Sequence, residues 1–312
     1  MKNGLKCAVG FAVSIVIAYF ALRDFGSFNP AQLLSSHINW WLAAASGCAF
    51  VASTWLRGLA YSDGIDRKMT RFTGWRITAV GNASNMLLPL KMGEGVRLAL
   101  FPRGYSVLER GKLVMIPAAI DLAYILAEGT AAAMFAGYGS PGVVRILSTA
   151  SLSFTVLLTG SVLVLLLLPR TSEATRRYLG ADSLKMAFWV FVSWFAVLVS
   201  IWLGLLACGL GAGISVRYAA AAFAGMNLVL LIPASPGGIG LYEYSIIFAL
   251  RGLGLALPAA KTAALLLHVT EYAFLLPLAL AVWIVGLPAK RRSISARGMQ
   301  SKTAAARAVN RR

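Results

Sequence analysis

Gly81-Asn-Ala-Ser-Asn-Met-Leu-Leu-Pro89-Leu-Lys-Met-Gly93-Glu-Gly95 is the stretch on which the fold turns. It closes a moderately apolar segment, Trp75 to Leu90, that is shorter than the about 20 residues a helix needs to cross a bilayer. Asn82, Asn85 and Pro89 interrupt it. Basic residues flank it on both sides: Arg67, Lys68 and Arg71 before, with Arg76 at its start, and Lys91, Arg97, Arg103, Arg110 and Lys112 after. Lys and Arg collect on the cytoplasmic side of a membrane, so a full crossing here would strand one of these clusters outside. The segment reads instead as a re-entrant hairpin that dips in from the cytoplasm and returns. Irregular backbone at membrane depth is tolerated only where protein or a watery cavity satisfies its polar groups.

The rest of the chain supplies the membrane. Apolar residues make up 59% of the 312 and charged ones 13%, against roughly 45–50% and about 25% in soluble domains. That excess excludes a water-soluble fold, a disordered chain and a disulfide-stapled scaffold. Cys7, Cys48 and Cys208 fall inside apolar runs and read as small packing residues. Six runs are long enough to span: 5–22, 38–60, 113–136, 145–168, 186–209 and 261–286. The first follows Lys2 and Lys6 like a signal peptide. It is long and has no clear cleavage site after it, so it reads as a retained helix. With the N-terminus in the cytoplasm, 23 of the 29 Lys and Arg fall on the inner side. The external connections then hold only Arg23, Arg145, Arg217, Arg251 and Lys261. Both termini are therefore expected in the cytoplasm, with the protein multi-pass in the inner (cytoplasmic) membrane. The net charge of +18 follows this topology rather than a nucleic-acid face, and no nucleic-acid partner is expected.

A second anomaly lies at 218–256. An apolar run ends at Pro233 and Ser-Pro-Gly-Gly follows before the next run begins. Either two crossings or a hairpin entering from outside satisfies the parity of the spans, and the hairpin is preferred. Its sequence, Gly225-Met-Asn-Leu-Val-Leu-Leu-Ile-Pro233-Ala-Ser-Pro-Gly237-Gly-Ile-Gly240, matches the first break when both are counted from the proline. Each has Gly at minus eight, Leu at minus two and Gly at plus four, then an acid, Glu94 or Glu243. Broken helices at corresponding places in two inverted halves point to a transporter's midplane site. The expected fold is an all-α polytopic membrane bundle of six full spans with two broken-helix hairpins in an inverted repeat.

At this point the sequence resembles a known family. The Asn-x-x-Asn-x-x-x-Pro-x-x-x-Gly-Glu-x-x-Arg arrangement of Asn82–Arg97 is similar to a signature of the flippase-like membrane region of lysylphosphatidylglycerol synthases. Pro233-Ala-Ser-Pro-Gly-Gly-Ile-Gly-x-x-Glu243 is similar to that family's second signature. The resemblance runs from about residue 5 to 288 and implies a protein that translocates, or assists translocation of, a lipid. It divides the chain into a flippase-like transmembrane domain, 1–288, and a basic cytoplasmic tail, 289–312, expected to be disordered. In the bifunctional relatives, lysyl transfer belongs to a separate soluble domain after the membrane region, so that activity is not expected here. The family often places Arg shortly before the Asp of the next helix and another Arg in its last helix. Here Ala119 and Ile120 precede Asp121, and His268 stands near the latter position.

Ionisable residues kept inside a bilayer face a cavity or a partner. Asp121 and Glu128 are seven apart on one span and share a helical face, as do Lys261, His268 and Glu271 on the last. Glu94 and Arg97 are i, i+3 where the first hairpin emerges, and Glu243 begins the helix after the second break, where a carboxylate favours the N-terminus. A core hydrogen bond is the expected role of His268, since no second His or Cys has ligand spacing beside it. The candidate substrate-binding or translocation set is Asn82, Asn85, Pro89, Glu94, Arg97, Asp121, Glu128, Pro233, Gly237, Gly238, Gly240, Glu243, His268 and Glu271. Arg97 and the backbone N–H groups near Gly237–Gly240 are candidate contacts for an anionic headgroup. No catalytic residue, metal or cofactor is expected, and the protein does not read as an enzyme. The expected partners are a lipid substrate and, through the tail, an anionic lipid surface. A second copy of the chain or a lipid-synthesis enzyme are the candidate protein partners. The competing readings are a membrane-embedded lipid-phosphate transferase, for which no nucleophile motif or paired Asp cluster is found, and a non-transporting accessory subunit.

Overall fold

Helices begin where the sequence supplies a cap and break where it supplies Pro or Gly. The computed structural model describes residues 37–64, 69–88, 91–102, 104, 106–137, 181–230 and 236–286. Among these the architecture is entirely helical: α1 Trp40–Gly64, α2 Arg71–Leu87, α3 Gly93–Leu100, α4 Val107–Ala136, α5 Ala181–Ala207, α6 Ala212–Leu230, α7 Leu241–Gly252 and α8 Leu257–Val285. Asn39 Oδ1 caps α1 by accepting from the N–H groups of Trp41 and Leu42 at 3.1 and 3.2 Å. Thr70 Oγ1 caps α2 by accepting from Thr73 N at 3.1 Å. Pro258 sits in the first turn of α8, where its missing N–H costs nothing.

Three of these helices contain segments long and apolar enough to cross a membrane: Pro117–Ala136, Leu184–Ala207 and Leu257–Val285. They match the runs expected at 113–136, 186–209 and 261–286. The run at 38–60 forms α1, which is long enough but carries Ser46, Ser53, Thr54, Arg57 and Asp63. The runs at 5–22 and 145–168 lie outside the described residues, as do the basic tail and Cys7. Cys208 is partly buried against the core, whereas Cys48 is exposed on α1, so the packing role expected of the cysteines does not extend to Cys48.

The interior is small and the outside large, the reverse of a soluble domain. Ala219–Ala222, Phe223 and Ala224 bury α6 in the centre, while Trp41, Leu184, Phe195, Phe248 and Val285 are exposed. Without a hydrophobic drive between helices in lipid, small residues let backbones approach and polar ones bind across. α1 lies along α5, and Ser46 and Ser200 each donate a hydroxyl to the other's carbonyl at 2.8 Å. α1 crosses α2 at Gly58, where a Cβ would come 2.6 Å from Trp75 Cα.

Both anomalous stretches are helix–break–helix units. α2 has 17 residues, about 25 Å at 1.5 Å per residue, short of the about 30 Å hydrocarbon core. It ends as Leu88 turns extended, and α3 returns. α6 gives way to a 3-10 turn, Pro236–Gly238, and then α7. Gly237, Gly238 and Gly240 hold φ of 60°, 72° and 86°, the left-handed region that glycine enters without cost. The two prolines used to align the breaks, Pro89 and Pro233, lie outside the described residues.

Candidate functional site

Three of the four matched glycines, Gly81, Gly93 and Gly225, share a steric purpose: they let a second half-helix fold back on its first. A Cβ on Gly81 would collide with the Arg97 side chain, and one on Gly93 would collide with Gly81 O and the Asn85 side chain. A Cβ on Gly225 would stand 2.9 Å from Ser245 O on α7. A Cβ on Gly237 would strike Tyr272 Oη and come 2.9 Å from Met86 O, at the end of α2. Tyr272 Oη also donates to Met86 O at 3.1 Å. The second break therefore rests on the end of α2, beside the first.

A cavity of about 520 Å³ opens where the two breaks meet. Asn82, Asn85, Glu94 and Arg97 reach it from the first break, Gly237, Gly238 and Tyr242 from the second, Asp121 from α4, and His268 and Glu271 from α8. Phe50, Leu122, Ile125 and Val197 give it apolar walls.

Lys91 also lines it, and most of its other polar groups form three clusters. In the first, Arg97 donates through Nη1 to both oxygens of Glu94 at 2.8 and 2.9 Å and through Nη2 to Asn82 Oδ1. Asn85 Nδ2 donates to Glu94 Oε1 at 3.1 Å. The i, i+3 spacing on α3 puts acid and base on one face, and Gly81 makes room for the arginine stem.

In the second cluster, Asp121 accepts from Arg57 Nη1 at 2.5 Å and from Trp194 Nε1 at 3.2 Å. Arg57 also donates to Ser193 Oγ at 3.1 Å and lies 4.8 Å over the Trp194 ring. In the third, Glu243 Oε1 and His268 Nδ1 are 2.5 Å apart, and Gly240 N donates to Glu243 Oε2 at 2.7 Å. Tyr242 Oη donates to Glu271 Oε1 at 2.6 Å, and its ring stacks on His268 at 4.3 Å between centroids.

Two sequence expectations change. Glu128 shares a helical face with Asp121 but lines a separate pocket one stretch further along α4. A shared face fixes direction, not which neighbours stand at each height. The Gly240 N–H is taken by the Glu243 carboxylate, which occupies the start of α7 where an external anion would bind. Lys261 is absent from the cavity wall that His268 and Glu271 join. Gly240 and Glu243 stand behind the wall, bonded to it. His268 makes the core hydrogen bond expected of it.

Sequence reading missed Arg57, Trp194 and Tyr242 as members of the site. Arg57 left a usable signal, an arginine within an apolar run. Trp194 and Tyr242 left none, because aromatic residues are common throughout these helices.

The model of the lysylphosphatidylglycerol synthase transmembrane region matches residues 7–279, including both broken units and every cluster just described. The chain belongs to this family. No curated protein matches it. With its apolar helices, family membership makes it a multi-pass integral membrane protein of lipid metabolism or transport. Asp121 has Ala119 and Ile120 just ahead of it on α4, and its arginine partner, Arg57, reaches it from α1.

What this site can do follows from its pairing. Arg57 and Arg97 are each held by a carboxylate, and His268 by Glu243. Charge-assisted bonds of this type are roughly twice as strong as neutral ones. An anionic group entering the cavity competes with Glu94 or Asp121 for a guanidinium, and a cationic group competes for the acid.

Proposed function

We propose that this protein translocates, or assists translocation of, a lipid with a phosphate-bearing or modified headgroup across the cytoplasmic membrane. The observation that carries the reading is convergence: two broken helices, far apart in sequence, put their polar residues into one cavity inside a bundle whose outer surface is apolar. The headgroup passes through this cavity while its tails stay in the surrounding lipid. Arg97 and Arg57 take the anionic part by exchanging their carboxylates for it, and Gly237 and Gly238 allow the close approach of backbone. Asp121 and Glu271 receive a cationic part or a proton. Nothing in the reading requires a covalent bond in the lipid to be made or broken.

The topology is part of the proposal. Six spans with both termini in the cytoplasm, and breaks entering from opposite sides as an inverted pair, account for the 23 inward Lys and Arg. The basic tail adds contact with anionic lipid at about 1 kcal/mol per residue near the surface.

Purified protein in proteoliposomes, given phosphatidylglycerol, its lysylated form, undecaprenyl phosphate and a sterol-like polycyclic lipid, tests the reading. At least one headgroup should change leaflet faster than in empty vesicles, and Arg97→Ala and Glu243→Gln should slow it at least about tenfold. Equal rates with and without protein for the whole panel would overturn it.

A further inference from the structure

The second pocket has a different chemistry. It is an open groove of about 490 Å³ between α4, α5 and α6, lined by Phe135, Phe191, Phe195, Trp202 and Phe223 together with small aliphatic residues. Glu128 is the one charged residue in its wall among the described residues. In the apolar segment Pro117–Ala136 that residue is eleven positions from one end and eight from the other, near its middle.

Each acid of the central site has a protein partner, whereas Glu128 Oε1 is buried and has none among the described residues. Trp202 Nε1 and both amide atoms of Asn227 are also buried without partners. Asn227 is 1% exposed, and its Nδ2 lies 3.9 Å from where a Cβ on Gly129 would stand, beside Glu128. An ionised carboxylate buried without a partner is costly.

The charges facing Glu128 are few. Asp121 and Tyr124 lie below it on α4, and Arg57 approaches from α1. Arg57 is already committed to Asp121 and Ser193. α5 presents Trp202 and the phenylalanines, and α6 presents Phe223, with Asn227 next to Gly129; none of these titrates. Among the described residues an ionised Glu128 thus has no cation of its own, and the simplest partner that removes the charge is a proton.

We propose that Glu128 is a proton-binding site that couples lipid movement to the transmembrane proton gradient. The proposal rests on the transport reading. One proton from the acidic aqueous phase binds the carboxylate to give the neutral acid, and the same proton leaves to the opposite phase as the carboxylate re-forms.

Two measurements on the full chain test this. Dicyclohexylcarbodiimide reacts with protonated carboxyls in apolar surroundings, so mass spectrometry should find Glu128 modified, with labelling falling about tenfold per pH unit above its midpoint. In proteoliposomes with an entrapped pH dye and an imposed gradient, wild type should take up protons in step with lipid transfer. Glu128→Gln should lower that uptake at least about tenfold while keeping its elution volume and helical circular dichroism, and Glu128→Asp should restore part of it. Absence of labelling at any pH, or unchanged proton uptake by Glu128→Gln, would overturn the proposal. So would a Glu128→Gln variant that loses only the lysylated lipid, since the site would then hold a headgroup ammonium. If lipid crosses regardless of the gradient, coupling fails and transport stands. If no lipid crosses in any arm, the transport reading fails and coupling with it.

Discussion

The two breaks share a sequence pattern but close differently. In the first, the acid answers to its own hairpin: Glu94 binds Arg97 three residues on, and its side chain is 35% exposed. In the second, Glu243 binds His268 on α8 and is 9% exposed. The glycines repeat the contrast. Gly93 is crowded by Gly81 and Asn85 of the same hairpin, whereas Gly237 is crowded by Tyr272 and by Met86 of the other one. The first break closes through contacts within its own hairpin, while α2 itself packs on α1 at Gly58 and receives Tyr272 at Met86 O. The second closes through contacts to α8 and to α2. A pattern read from the sequence can thus recur with one backbone purpose and two energetic ones.

This contrast can be broken from either side, and the effects should be ranked. Glu243→Ala strands a buried His268 and removes the carboxylate from the start of α7, so it should cost about 3–5 kcal/mol of stability in detergent. His268→Ala should cost nearly as much, and the double variant little more than either, a coupling that denaturation of all three would measure. Asp121→Ala leaves Arg57 with only Ser193 and the Trp194 face, and about 2 kcal/mol should be lost on the same scale. Gly225→Ala should cost about 2 kcal/mol and Gly81→Ala about 1. The backbone oxygen of Ser245 cannot retreat as the arginine stem can. Glu94→Gln should cost less than about 1 kcal/mol, as expected of a partly exposed pair. The same substitution should slow lipid transfer at least about tenfold in proteoliposomes. A large stability loss from Glu94→Gln with normal transfer would reverse the roles assigned to the two breaks.

Most of the architecture could be read along the chain, because a lipid-facing helix declares itself by an unbroken apolar run. The described spans fall where those runs predicted. Asn82, Asn85, Glu94 and Arg97 could also be grouped in advance, since they lie within sixteen residues. The long-range partners could not. Arg57 meets Asp121 across 64 positions and Glu243 meets His268 across 25. Each meeting depends on the height at which two helices cross, which small-residue contacts such as Gly58 against Trp75 decide. The same limit separated Glu128 from Asp121: seven residues fix a common face but leave open which pocket lies opposite each.

Whether the two breaks share one water-filled cavity is the claim on which the functional reading stands. In a background with Cys7, Cys48 and Cys208 replaced, single cysteines at Met86, Ala118 and Leu241 should react with a small charged thiol reagent. All three line the cavity, from α2, α4 and α7. Cysteines at Phe248 and Leu280, on the exposed apolar surface, should stay inert in membranes. If Met86→Cys and Leu241→Cys are as unreactive as the two surface positions, the breaks do not meet in water, and the account is contradicted.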